Sequence, residues 1–170
     1  MIQVRASSHA ARRGRVEIGP LRLPCALGRS GLRARKREGD GTTPLGSWRL
    51  DRVLYRSDRG LRPRTGLAVQ AVRRDDGWCD APGDRNYNRA VRHPYPASAE
   101  QLWRADELYD IVVVLGHNRC PRVRGHGSAI FMHVARPGFQ PTEGCVALRA
   151  GDLRRVLARV GTRGARLIVS

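Results

Sequence analysis

The chain has 170 residues, of which 41% are hydrophobic, so a core is affordable without disulfide staples or a structural metal. The longest apolar run, Ile111 to Leu115, falls far below the ~18–20 residues of a membrane-spanning helix. Basic residues number 32 against 15 acidic, a net charge of +17. That field favours anionic partners, but the arginines are scattered, no run of five basic residues occurs, and aromatics are only 5%. Those features argue against a base-stacking nucleic-acid platform, and no nucleic-acid partner is expected. Lys36 is the only lysine, a lopsidedness that a G- and C-rich genome would produce whatever the function.

No internal repeat or low-complexity linker divides the chain, so residues 1–170 read as one domain. Val16 to Ile18 and Leu21 to Leu27 read as strands around the turn pair Gly19-Pro20. Gly39 to Gly46 reads as a rigid loop. Trp48 to Tyr55 alternates with the period of a strand, and Leu67 to Val72 is a further candidate. Trp78 to Val91 reads as a long polar loop. Ser98-Ala-Glu-Gln101 has the form of a capping box and predicts a short helix through Trp103. Ile111 to Leu115 and Ala129 to Val134 read as strands buried on both faces. Leu153, Val156, Leu157 and Val160 make an amphipathic helical stripe closed by Gly161, and Arg166 to Val169 is a last strand. The pattern predicts a β-rich α+β fold, a sandwich or open barrel with two or three short helices.

Four cysteines, Cys25, Cys79, Cys120 and Cys145, are widely spaced with no CxxC pair, which is not a disulfide framework. Cys25 lies in an apolar strand pattern and is expected buried and inert. Cys79 and Cys120 fall in expected loops and are candidates for exposure. The N-terminus lacks a basic segment followed by an apolar one, so no secretory signal is read there.

The chemistry concentrates in Gly127 to Leu148. A strand delivers His133 at its end, a Pro/Gly loop follows, and then comes Thr142-Glu-Gly144-Cys145. A thiol nucleophile needs a base to take its proton and N–H donors for the oxyanion it creates. Gly144 lets a carbonyl approach the backbone closely. The same residues also fit a buried cysteine and a hydrogen-bonded core histidine. His117, Cys120, His126 and His133 are potential metal ligands, but their spacing matches no zinc pattern. Asp80, Asp84 and Asn88 lack the glycine and terminal glutamate of a calcium loop. No metal or cofactor is expected. Trp48 and Trp103 are expected in the core, with Trp78 undecided between core and ligand platform.

This stretch resembles the signature of the L,D-transpeptidase (YkuD-like) family: apolar strand, His, variable loop, Ser/Thr-x-Gly-Cys. Thr43-Pro44-Leu45-Gly46 looks like the family's Thr-Pro-x-Gly segment, in the right order upstream. The resemblance implies acyl transfer on peptidoglycan stem peptides through a thioester on Cys145, with His133 as base. It further implies a Val134 carbonyl orienting the far imidazole nitrogen and oxyanion donors at the Cys145 and Gly144 N–H groups. Thr142, His126 and Ser128 are candidate substrate contacts, and His126 and His117 are candidate cleft residues. His133 is preferred to His126 as the base because an apolar strand precedes it. Many relatives place Arg or Asn two residues after the cysteine; here that position is Ala147. A carboxypeptidase or amidase on the same site, and a catalytically silent cell-wall-binding protein, are the alternatives. The family implies the periplasm or cell envelope, whereas the absence of a visible signal leaves the cytoplasm open.

Overall fold

A computed structural model describes residues 1–170. Its framework is a nine-stranded sheet that closes on itself. The strands are β1 (Ile2–Ala6), β2 (Arg13–Ile18), β3 (Leu21–Ala26), β4 (Leu32–Arg33), β5 (Thr43–Pro44), β6 (Gly46–Tyr55), β7 (Val69–Ala71), β8 (Asp76–Cys79), β9 (Arg89–Arg92), β10 (Ala99–Gln101), β11 (Ile111–Leu115), β12 (Phe131–Val134), β13 (Val146–Leu148) and β14 (Arg166–Val169). The sheet order is β11-β12-β13-β3-β2-β1-β14-β6-β7, and β11 also pairs with β6. Strand β6 makes this possible through its length. Its first half pairs with β14, its second half with β7, and its opposite edge with β11.

Side-chain alternation then sorts the residues. Ile111, Val113, Leu115, Met132, Val146 and Leu148 point into the main core cluster. Val112, Val114 and Phe131 point outward into a second, smaller cluster. The outward face is covered by the three-stranded sheet β10-β8-β9, which brings Trp78 and Leu102 onto it. The Phe131 ring stacks edge-on against Trp78, with centroids 5.2 Å apart. Covering both faces explains why β11 is a continuous apolar run although its neighbours are antiparallel. Asn88 ties the cover to the barrel. Its Oδ1 accepts from Trp78 Nε1 (2.9 Å) and Ala129 N (3.2 Å), and its Nδ2 donates to the His117 and Asn118 carbonyls.

Three sequence expectations change here. There is one α-helix, α1 (Ala150–Leu157), with a single 3-10 turn at Pro137–Phe139, rather than two or three helices. Helix α1 buries Leu153, Val156 and Leu157 in the main core, as the apolar stripe requires. The Ser98–Gln101 segment is not a helix. It forms β10, where Glu100 pairs with Trp78. A four-residue box has too few turns to nucleate a helix against that pairing. The expected loop from Trp78 to Val91 is the connection 80–88 together with the facing ends of the paired strands β8 and β9, so Trp78 is core and Cys79 is buried. Trp103 is half-buried with the Arg56 guanidinium 3.7 Å from its ring centre. Trp48 is half-buried against the main core. No helix is long and apolar enough to cross a membrane.

Candidate active site

The pairing of β12 with β13 sets the site. The two strands are parallel, and His133 lies beside Ala147. Alternation therefore puts His133, Ala147 and Cys145 on the outward face. They line an open cleft of about 540 Å³ between the barrel wall and the covering sheet. Thr142 and Ser128 also line it, whereas His126 and His117 do not. The His117 ring is buried, edge-on to Trp48, with Nε2 3.0 Å from the His126 carbonyl. No three His, Cys, Asp or Glu side chains are grouped to hold a metal.

His133 is held by its neighbours. Its Nδ1 lies 2.8 Å from the Val134 carbonyl. A carbonyl can only accept, so Nδ1 carries the hydrogen and Nε2 presents a lone pair when the ring is neutral. Tyr109 packs edge-on against the ring at 5.5 Å. Burial pushes the imidazole down to about 4, against the pull of the Val134 bond and with help from Arg104 and Arg136.

Cys145 is equally constrained. Its Sγ donates to the Ala129 carbonyl (3.3 Å) and accepts from the Phe131 N–H (3.4 Å). Burial pushes the thiol up to about 12; the Glu100 charge adds to this, while the Phe131 N–H and Lys36 oppose it. Both groups are therefore neutral at pH 7. Cys25 is buried in β3 and pushed up to about 12 by burial, while Cys120 is exposed. All four thiols are free.

Thr142 shapes the loop before the cysteine. Its backbone bonds to Leu27 and Arg29 fix it against the end of β3. Its Oγ1 donates to the Cys145 carbonyl (2.7 Å) and accepts the Gly144 N–H (3.1 Å). The Gly144 donor is thus already engaged, whereas the Cys145 N–H has no acceptor in the protein. Gly144 has φ of +135°, and a Cβ there would sit 2.6 Å from the Thr42 carbonyl oxygen, so only glycine fits.

The cleft carries both charge signs. Lys36, Arg104 and Arg136 face it together with Glu38, Asp80, Glu100 and Glu143. Glu100, raised by burial, takes a hydrogen bond from Tyr109, which packs on His133. Ser128 donates to Glu38, which also accepts from Tyr87. Apart from Ser128, Arg136 and Glu143, these wall residues lie 33 or more positions from the Thr-x-Gly-Cys segment. No local spacing singles them out.

No curated protein and no solved structure matches the chain. The family model for the L,D-transpeptidase catalytic domain, YkuD, matches residues 2–169. Its match runs from the first strand of the barrel to the last and takes in both His133 and Cys145, so the chain belongs to the YkuD family of L,D-transpeptidase catalytic domains.

Proposed function

We propose that the protein transfers acyl groups of peptidoglycan stem peptides through a thioester on Cys145. The observation that carries this reading is His133, locked in one tautomer by Val134 and sharing a cleft wall with Cys145. A neutral imidazole with its Nε2 lone pair free is a base, and a neutral thiol on the same cleft wall is a proton donor and nucleophile. The mixed lining suits a stem peptide, which carries carboxylates and an amine. An envelope location goes with that substrate. No metal or organic cofactor enters this chemistry.

The acyl acceptor is an amine of a second stem peptide. Hydrolysis is the second reading, favoured by Ala147, which puts a methyl group on the cleft wall where a polar contact to the acceptor would otherwise stand.

A carbapenem presents the same strained acyl donor to all four thiols. The expected result is one adduct, found on Cys145 by peptide mass spectrometry, with none on buried Cys25 and Cys79. Iodoacetamide should label exposed Cys120 readily, which separates activation from simple access. Equal carbapenem labelling of Cys120 and Cys145 would overturn the reading. Incubation with a stem tetrapeptide should release D-alanine, and an added amine acceptor distinguishes cross-linking from hydrolysis.

A further inference from the structure

The 32 basic residues include one lysine, and that lysine lies at the wall of this cleft. The Lys36 side chain is only 2% exposed. Two glycines in left-handed conformations make room for it. A Cβ on Gly127 would come 2.9 Å from Lys36 Cε, and a Cβ on Gly144 would come 3.1 Å from its Nζ. The stem thus lies flat on Gly127 while the ammonium abuts the residue preceding Cys145.

An ammonium has three protons to place. One goes to Asp40 Oδ1 at 2.8 Å. Partial burial pushes that carboxyl up, but the Lys36, Arg37 and Thr42 donors outweigh it and hold it well below the usual carboxylate range. The other two Lys36 N–H groups have no acceptor in the protein. A charge so deeply buried is costly unless its donors are used, and the cleft is what these two adjoin. The site also lacks a donor. Of the two backbone N–H groups at the cysteine, that of Gly144 is bonded to Thr142 and only that of Cys145 is free.

We infer that Lys36 is a catalytic residue of the acyl-transfer reaction: its ammonium and the Cys145 N–H together hold the oxygen of the scissile carbonyl. This rests on the acyl-transfer reading. Cys145 Sγ attacks the carbonyl carbon as its proton passes to His133 Nε2. The new S–C bond pushes the carbonyl π pair onto oxygen, which Lys36 and the Cys145 N–H receive. Collapse restores the C=O, breaks the C–N bond and sends the amine off with the proton from Nε2. The thioester remains.

The test compares acylation with alkylation at Cys145. Acylation by a carbapenem develops an oxyanion, whereas alkylation by iodoacetamide does not. Lys36→Met should slow acylation about 100-fold, the loss typical of an oxyanion donor, and change alkylation by no more than about threefold. The double variant K36M/D40N removes both charges of the ion pair. Its thermal midpoint should return toward that of the unmodified protein while the acylation defect stays; should Lys36→Met alone not fold, the double variant carries the test. Recovery of acylation in the double variant would reduce Lys36 to a counterion of Asp40 and overturn the inference. So would alkylation falling as far as acylation, which would place the effect on the thiol. If the unmodified protein is not acylated at Cys145 at all, the acyl-transfer reading fails and takes this one with it. If it is acylated and Lys36→Met matches it, only the role of Lys36 falls.

Discussion

Cys145→Ser and His133→Gln should each lower the rate of acyl transfer by about 10⁴-fold or more, as removal of a nucleophile or its base does elsewhere. The two groups are expected to act as one unit, so the double variant should be scarcely worse than either single one. The reason lies in their ground states. With the thiol at about 12 and the imidazole at about 4, a preformed thiolate–imidazolium pair is disfavoured. The proton must cross to Nε2 as the S–C bond forms, so the reaction needs both groups at once. This makes a distinctive pH profile. kcat/KM should fall on the acid side with a midpoint near pH 4, where His133 protonates, and be flat through neutrality. A midpoint near the ordinary histidine value of 6.5 would contradict a buried, neutral base.

The same histidine should make the fold acid-labile. The ring takes up its proton near 6.5 when exposed and near 4 in the folded protein. Between those values the unfolded chain binds the extra proton, so acid favours unfolding. The contribution is fully present above pH 6.5 and shrinks as pH falls toward 4, by about 3 kcal/mol in all. Denaturant unfolding at pH 7 and pH 4 measures it, with His133→Gln as reference. The drop in unfolding free energy between the two pH values should be about 3 kcal/mol smaller in the variant. Equal drops would show that His133 is not held neutral by its surroundings.

The elements that were legible in the sequence are those whose own residues carry the signal. Strand β11 is five consecutive apolar residues, four of them β-branched, and helix α1 shows its stripe at helical spacing. The hairpin of β8 and β9 was not legible because its outer strand reads Arg-Ala-Val-Arg and is largely exposed. Only the pairing with Trp78 and Cys79 makes it a strand. The Ser98–Gln101 segment misled for the opposite reason: a local capping pattern is worth little against cross-strand pairing with β8. At the site, His133 and Cys145 lie in one short signature and were readable together. Lys36 reached notice only as a compositional oddity. Its place beside Gly144 depends on the Lys36–Asp40 turn folding against the Thr-x-Gly-Cys loop about 100 residues later, and spacing along the chain carries no trace of that.

The closure of the barrel also has a kinetic side. Ile2 pairs with Leu167 and Val4 with Val169, among the most distant partners the chain can offer, whereas β11 and β12 pair across a connection of 15 residues, 116–130. Bringing remote segments together carries the larger loop-closure entropy, and topologies rich in such contacts reach the native state slowly. The wall that bears the cleft should therefore assemble first, and the seam between β1 and β14 last. Pulse-labelling hydrogen exchange during refolding should find the amides of Val112 to Val114 protected ahead of those of Ile2 to Val4; simultaneous protection would show a single cooperative step. Until the seam forms, β1 and β14 are open strand edges, so the vulnerable interval in this protein's life falls between the building of its reactive face and the sealing of the ring.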